Sequence, residues 1–349
     1  MRRVSRIAVA SVATAALAVT VSACGSSSSS SSAGGGDKNL GLALAYDVGG
    51  KGDQSFNDAA TAGMDQADKE FGYKSTAVEP QDGESDADKV QRLETLAKQG
   101  YNPVIGVGFA YAPAVKAAAA KFPKTTFGIV DDNQIQASNV TDLVFHEEQA
   151  SYLAGVAAAK TTKTNTVGFV GGVDVPLIHK FEAGFKQGVA DTKKGVTVKS
   201  QYLTQTAAEG GFSSPDKGEN AANGQIDAGA DVVYAAAGLS GQGVIKAASE
   251  HKIWAIGVDS DQYKQDALAK YKDSILTSAM KDVAGAVFNL AKSVKDGKPQ
   301  TGEVRASLAT GGVSLSDSNP VFKNNADLQA AIKKAEEGIK SGSITVKDS

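Results

Sequence analysis

Residues 40–72 read LGLALAYDVGGKGDQSFNDAATAGMDQADKEFG, and this stretch decides the fold. Its first part, LGLALAYD (40–47), is a short apolar run that is typical of a buried strand. Its last part, FNDAATAGMDQADKEFG (56–72), predicts a helix that ends at Gly72. The glycine-rich segment between them therefore forms a corner between a strand and a helix.

The same alternation continues along the chain. The segment SDADKVQRLETLAKQG (85–100) predicts a helix that is capped by Ser85, has Asp88 three residues later, and ends at Gly100. After a crossover near residues 140–160, apolar runs and amphipathic segments alternate again. Strands that alternate with helices of this length predict parallel sheets with helices on both faces. We therefore expect an α/β protein with two doubly wound lobes joined by a hinge.

The first 37 residues have a different character. Arg2, Arg3 and Arg6 precede a short apolar run, which predicts a signal peptide over residues 1–23. The run ends in VSAC, which resembles a bacterial lipobox, so Cys24 is the predicted lipidation site. Residues 24–37 are rich in Ser and Gly and form a flexible tether. These features predict an extracytoplasmic protein that is lipid-anchored to the outer face of the bacterial cell membrane.

The rest of the chain is expected to divide into two lobes. We assign residues 38–145, with part of about 275–300, to the N-terminal lobe. We assign residues 146–274, with part of about 301–345, to the C-terminal lobe. The chain has one cysteine, which excludes internal disulfides, and its formal net charge of -3 does not favour nucleic-acid binding. We expect a monomer.

Polar residues recur at the predicted carboxyl ends of the strands. In doubly wound sheets, ligands bind outside these ends. Aspartates and glycines follow the apolar runs in both halves of the chain, among them Asp47, Asp131, Asp132, Gly238 and Asp259. Because they recur in both halves, they predict a ligand cleft between the lobes.

The glycine-rich corner itself is a poor match to two known ion-binding loops. A phosphate loop needs Ser or Thr after its lysine, but Gly52 follows Lys51. A calcium loop that begins at Asp47 would have Gly52 at position 6 and Asp58 at position 12. However, it would also place Lys51 at a ligand position, where a cation opposes calcium.

A third interpretation is a neutral ligand with a flat face. Phe56 follows the strand end and begins the helix, so its ring could stack on a base or a sugar. The spacing alone is equally consistent with a Phe56 that packs in the core under the first turn.

An enzyme is disfavoured by the residue pattern. The chain has three histidines, His146, His179 and His251, and none has metal-ligand spacing or a nucleophile context. No paired carboxylates or Ser/His/Asp set stands out. We expect no catalytic residues, no metal and no cofactor.

Six segments in order resemble the basic membrane protein (Bmp/Med) family, which includes the purine-nucleoside receptor lipoproteins of ABC importers. They span roughly residues 39–320 and read DVGGKGDQSFNDAA, FGIVDD, VGFVGGVDVPLIHKFEAGFKQG, AAAGLSGQGV, AIGVDSDQ and ILTSAMKDV. The resemblance implies a type I periplasmic-binding-protein fold that holds a nucleoside between its lobes. One departure is FHEEQAS, where His146 and Gln149 replace residues that are frequent in the family.

The resemblance also implies roles for the residues in these motifs. In the SFN motif, Ser55 would contact the ligand and Phe56 would stack on the base. Asn57 and an acid of the Asp131–Asp132 pair would bind the base edges.

The remaining implied roles lie in the other motifs. Asp259 would bind ribose hydroxyls with support from Lys281, and Asp47 and Gly238 would line the cleft. Phe181 is the candidate second aromatic wall, although it also fits a core position on an amphipathic helix.

The implied partners are an ABC permease and its ATPase. Three alternatives stay open: a binding protein for a sugar or another small polar solute, a lipid-anchored ligand sensor, and an exported nucleoside-cleaving enzyme.

Overall fold

The computed structural model describes residues 39–349. The predicted signal peptide (1–23), Cys24 and the tether (24–37) lie outside the described residues. Within the described part, two six-stranded sheets form the centres of two lobes. The predicted α/β fold with two doubly wound lobes is confirmed.

The first sheet is entirely parallel. Its strands in spatial order are β11 (Gly302–Ala306), β5 (Val140–Phe145), β4 (Phe127–Val130), β3 (Val104–Gly106), β1 (Ala43–Ala45) and β2 (Thr76–Val78). The strands β1, β3 and β4 are fully buried. Since helices cover both faces of a parallel sheet, such strands are apolar throughout.

The second sheet is parallel except at one edge. Its order is β12 (Val313–Leu315), β10 (Ile275–Lys281), β9 (Trp254–Asp259), β8 (Val232–Ala236), β6 (Thr166–Val173) and β7 (Thr197–Thr204). The strand β12 pairs with β10 in the antiparallel direction. Both sheets therefore point the carboxyl ends of their central strands toward loops that can form one cleft.

Helices flank each sheet. The first lobe contains α1 (Phe56–Phe71), α2 (Asp86–Gln99), α3 (Ala112–Lys121) and α8 (Val283–Lys295). The second lobe contains α4 (Glu147–Thr161), α5 (Pro176–Thr192), α6 (Pro215–Asp227), α7 (Gly241–Glu250), α9 (Pro320–Lys323) and α10 (Ala326–Lys340). The helix α8 belongs to the first lobe because it packs on α1.

The chain passes between the lobes at three places. The passages lie between β5 and α4, between β10 and α8, and between β11 and β12. Part of residues 275–300 was expected in the first lobe; α8 packs there, whereas β10 pairs with β9 in the second sheet. Part of residues 301–345 was expected in the second lobe; β12 pairs with β10 there, whereas β11 pairs with β5 in the first sheet.

The predicted ends of the first two helices are confirmed. The helix α1 ends at Gly72, which has φ 68° and so satisfies the helix end without the cost a side chain would add. At the start of α2, Ser85 and Asp88 form a reciprocal capping box. Gly100 ends α2 in the left-handed conformation.

The helix α4 is nearly all buried, and close packing against α5 makes this possible. A β-carbon on Gly184 or Gly188 of α5 would collide with backbone oxygens of α4, at Glu148 and Tyr152. The two backbones therefore approach more closely than larger residues allow. This packing fixes the first residue of α4, Glu147, near the passage between the lobes.

Candidate functional site

A cavity lies between the two lobes, at the carboxyl ends of the central strands. It contains about 520 Å³ of space free of protein atoms, and this volume includes open solvent. From the first lobe it is lined by Asp47, Val48, Asp53, Phe56, Asn57, Gly108, Phe109 and Asp131. From the second lobe it is lined by Leu177, Ile178, Phe181, Phe212, Ala236, Ala237, Gly238, Val258, Asp259 and Lys281.

The backbone of the glycine-rich corner is held by hydrogen bonds to carboxylates from the same segment. Asp53 is buried and accepts hydrogen bonds from the backbone N–H groups of Ser55, Asn57 and Asp58, so it caps α1. Asp58 in turn accepts from the N–H groups of Gly52 and Gln54. These acids therefore stabilise the corner, and sequence reasoning missed the capping role of Asp53.

Asn57 connects this corner to the end of β1. Its Oδ1 accepts a hydrogen bond from the backbone N–H of Asp47 at 3.0 Å, and its Nδ2 donates to Asp53 at 3.2 Å. The residue lines the cavity and is buried. Because both polar groups of the amide are bonded within the protein, the arrangement holds Asp47 at the cavity wall.

Asp47 lies on the cavity wall, and the pKa of its carboxyl group is raised. Burial raises its pKa to about 7, although the backbone N–H of Val48, 2.8 Å from its Oδ1, favours the charged form. A carboxyl group with this pKa can exist as a donor or an acceptor near neutral pH.

The raised pKa predicts a pH effect on stability. Between about pH 4 and pH 7 the folded protein retains a proton on Asp47 that the unfolded chain has lost, so this contribution to stability falls as pH rises through that window. Asp47→Asn should reduce the loss of stability between pH 5 and pH 8 by on the order of a few kcal/mol. Urea unfolding at both pH values measures it. Asp82→Asn, at an exposed position, serves as the control, and an equal effect of both substitutions would contradict the prediction.

Lys281 is the centre of a buried charge cluster that joins the lobes. Its Nζ lies 2.6 Å from Asp131 Oδ2 in the first lobe and 3.6 Å from Asp259 Oδ1 in the second. The Nζ also lies 4.7 Å from the ring centre of Phe56 and 5.6 Å from that of Phe181. The aromatic faces and carboxylates together stabilise one buried cation.

Carboxylates dominate the electrostatics of this cluster. Burial lowers the pKa of Lys281, but Asp131, Asp259 and Glu147 outweigh burial and raise it. Glu147 is buried at the start of α4, and burial, with Asp131, raises its pKa to about 7. Its Oε2 lies 3.8 Å from Lys180 Nζ. Sequence reasoning did not select Glu147, although it lies in the noted FHEEQAS segment.

Three buried carboxylate oxygens of the cluster have no hydrogen-bond partner: Oδ1 of Asp131, Oδ1 of Asp259 and Oε2 of Glu147. Of these residues, Asp131 and Asp259 line the cavity, and both have positive φ, 68° and 62°. Buried polar atoms are almost always paired, and strained backbones concentrate at functional sites. The Oδ1 atoms of Asp131 and Asp259 are therefore the natural acceptors for a ligand's donors.

Two of the expected ligand-binding residues do not line the cavity. Asp132 instead accepts a hydrogen bond from the backbone N–H of Gln134 at 2.9 Å, which closes a local turn. Ser55 is fully buried, and its Oγ donates to Asp259 Oδ2 at 2.7 Å. The acid of the pair that lines the cavity is Asp131, and the Ser55 hydroxyl bonds Asp259.

More phenylalanine residues line the cavity than the two expected from the sequence. Phe56 lines the cavity from the first lobe and also packs against the core. Phe181 lines it from the second lobe but is only 5% exposed and belongs to the core. Phe109 and Phe212 line it as well. Phe109 follows a predicted strand end, whereas Phe212 lies in the segment GGFSSP, which carries no signal for a binding role.

Comparison with known proteins identifies the family. Residues 42–349 match the Bmp family model, described as ABC transporter substrate-binding protein PnrA-like. The chain belongs to the Bmp family. The predicted resemblance is confirmed, and the family is one of binding proteins rather than enzymes.

Two relatives and one solved structure agree with this assignment. The chain is 36% identical to the ABC transporter nucleoside-binding protein BmpA of Lactococcus lactis, over 88% of this chain and 89% of the relative. It is 33% identical to an uncharacterized lipoprotein of Pyrococcus horikoshii, over 80% and 69%. A solute-binding protein of an Aeropyrum pernix ABC transporter system superposes with a TM-score of 0.78 at 25% identity, over 89% and 94%. The type I periplasmic-binding-protein fold is thereby confirmed.

Membership of the Bmp family defines the general partners. A substrate-binding component of an ABC transporter works with a permease and takes a small-molecule ligand. None of the helices within residues 39–349 is long and apolar enough to cross a membrane.

Proposed function

We propose that this Bmp-family protein captures a nucleoside, of the purine class, in the interlobe cavity and delivers it to an ABC permease. One observation carries the proposal. Asp131 and Asp259, each with a buried carboxylate oxygen that has no hydrogen-bond partner, line a cavity that is also lined by several phenylalanine rings. A nucleoside combines the two matching features, a flat base and a polyhydroxylated sugar.

The base fits between aromatic walls from opposite lobes. Phe56 supplies one wall from the first lobe, and Phe212 supplies the other from the second. We assign Phe212 in preference to Phe181, because Phe181 is committed to the core. A base that stacks on both rings gains contact area only when the lobes are closed.

The sugar hydroxyls pair with the carboxylates. Asp259 Oδ1 and Asp131 Oδ1 would accept hydrogen bonds from ligand donors, while Lys281 balances their charge. A ligand without those donors would leave buried charged acceptors unmet, which is costly. The site thus discriminates against flat molecules that lack hydroxyl groups. The Lactococcus lactis relative, named as nucleoside-binding, supports this choice of ligand.

The same proposal places the protein outside the cytoplasm. Cleavage before Cys24 and lipidation of its thiol would hold it on the outer face of the cell membrane as a monomer, with the Ser/Gly tether as a flexible link. The lipoprotein relative supports this placement. The mass of the mature N-terminal peptide tests it, and an unmodified Cys24 would contradict it.

Calorimetry with inosine, guanosine, adenosine, cytidine and ribose tests the ligand class. Purine nucleosides should bind most tightly. Phe212→Ala should weaken their binding about 5- to 150-fold, since stacking of a base on an aromatic ring contributes about 1–3 kcal/mol. Phe122→Ala, at a partly buried phenylalanine outside the cavity, should leave binding unchanged. Binding of ribose with no response to any nucleoside would exclude the proposal and favour a sugar receptor.

A further inference from the structure

The glycine-rich corner makes direct hydrogen bonds to the other lobe. Residues 52–55, which we call the closure loop, present backbone oxygens to side chains of the second lobe. Gln242 Nε2 donates to Gly52 O at 3.0 Å, and Gln262 Nε2 donates to Gln54 O at 3.0 Å. These bonds cross between lobes that share no sheet.

Ser55 adds three further bonds from the same loop, one of them from its hydroxyl to Val258 O at 3.3 Å. Its backbone oxygen accepts from Ser260 Oγ at 2.7 Å, and its hydroxyl donates to Asp259 Oδ2 at 2.7 Å. The closure loop therefore meets the second lobe along its whole length. Its contacts end at Asp259, which also lines the cavity and has a buried oxygen with no hydrogen-bond partner.

The conformation of the closure loop is fixed by its backbone angles and by hydrogen bonds within the first lobe. Gly52 has φ 95° and Gln54 has φ 56°, both in the left-handed region. Asp58 bonds the N–H groups of both residues, and Asp53 bonds the N–H of Ser55. These N–H groups are satisfied inside the first lobe, and the carbonyl oxygens use their second lone pair toward the other lobe, since Gly52 O also accepts from Gln54 Nε2 and Ser55 O from the N–H of Ala59, both at 3.1 Å.

Gln262 is equally well fixed in the second lobe. Its Oε1 accepts from the backbone N–H of Val258 at 3.1 Å, and its backbone N–H donates to Ser278 Oγ at 3.2 Å. The residue is 1% exposed. Its Nε2 is therefore held in position before the lobes meet, which limits the entropy lost when the bond forms.

We propose that Gln242, Ser260 and Gln262 form a clasp on the closure loop, and that these positioning residues set how long a ligand stays bound. The clasp joins the loop that precedes Phe56 to the strand end that carries Asp259. Closing it therefore brings the stacking wall and the hydroxyl acceptor to the same ligand. None of the five bonds between the closure loop and the second lobe involves the ligand, so the clasp acts on every ligand equally.

Because the clasp contains no ligand atoms, it also stabilises closure in the empty protein. This second consequence does not rest on the proposed nucleoside function, whereas the effect on ligand release does. The two can be measured separately.

The test is Gln242→Ala, which removes one clasp bond at a partly exposed position. Its control is Gln187→Ala, which removes bonds that stay within the second lobe, from Nε2 to Thr345 O at 3.1 Å and from the N–H of Lys347 to Oε1 at 2.8 Å. In stopped-flow displacement of inosine and guanosine, Gln242→Ala should raise the release rate about two- to tenfold, by the same factor for both ligands. Gln187→Ala should leave it unchanged.

A second pair of variants, at Ser260, tests whether the hydrogen bond of the hydroxyl is responsible for the effect. Ser260→Ala should raise the release rate as Gln242→Ala does, and Ser260→Thr, which retains a hydroxyl, should restore it. Small-angle X-ray scattering of the ligand-free protein should show a larger radius of gyration for Gln242→Ala and Ser260→Ala than for Gln187→Ala.

Two results would overturn the clasp. One is a release rate and a radius of gyration for Gln242→Ala and Ser260→Ala that match those of Gln187→Ala. The other is a change in release rate that differs strongly between inosine and guanosine, since that would place the residues in ligand recognition. If no nucleoside binds at all, the nucleoside proposal fails, and scattering of the ligand-free variants alone decides on the clasp.

Discussion

Lys281→Met should lower the free energy of unfolding by about 3–5 kcal/mol, because it leaves buried carboxylates without their cation. Asp131 and Asp259 have side chains that are 5% and 8% exposed, and Lys281 is the cation that both contact. Methionine is similar in size and retains the apolar contacts with the surrounding rings. The loss therefore measures electrostatic compensation rather than a cavity.

Urea unfolding of three variants checks this prediction. Lys292→Met removes a lysine from an exposed pair with Asp296, in which both side chains are about half exposed, and should cost less than about 1 kcal/mol. Asp131→Asn combined with Lys281→Met should recover part of the loss, since one buried charge is then removed. Equal costs for Lys281→Met and Lys292→Met would show that the buried cluster does not need its cation.

Asp259→Ala should weaken nucleoside binding about 100-fold. A hydrogen bond to a charged group contributes about 1.5–3 kcal/mol, and in the proposed site Asp259 Oδ1, which has no hydrogen-bond partner, accepts from a ligand hydroxyl. The substitution also removes the acceptor of the Ser55 hydroxyl at the clasp. Both losses act on the closed, ligand-bound form.

Calorimetry with deoxynucleosides tests whether Asp259 binds a hydroxyl group of the sugar. The unmodified protein should discriminate between a ribonucleoside and its 2′- or 3′-deoxy form, and Asp259→Ala should lose that discrimination for the hydroxyl it binds. Asp261→Ala is the matched control, since Asp261 lies two residues away and does not line the cavity. If discrimination persists in Asp259→Ala, Asp259 does not bind the sugar hydroxyls.

Local signals made much of the fold predictable. The ends of α1 and α2 follow from Gly72, Ser85 and Gly100, because caps depend on residues a few positions apart. The strand β11, sequence GEVRA, was not predicted, because it is a short, largely polar edge strand. The strand β10 was recognised but its lobe was not, since strand pairing in parallel sheets joins segments far apart in the chain.

The site was predictable in kind but not in detail. Acids at strand ends were the correct signal for the cavity, and it found Asp47, Asp131 and Asp259. It could not separate Asp131 from Asp132, because the direction of adjacent side chains depends on the φ of 68° at Asp131. Phe212 was missed because its place in the cavity depends on where its segment packs in the second lobe.

The amino-acid sequence by itself determined the α/β class, the two lobes and the corner at residues 46–60 as a junction of strand and helix. It also excluded phosphate and disfavoured calcium there, because both depend on residue types at short spacings. Only the tertiary structure decided that Asp131 and Asp259 converge on Lys281, and that the corner's carbonyl groups meet Gln242 and Gln262. Those contacts join segments from different lobes, so they exist only once both lobes have folded and closed on each other.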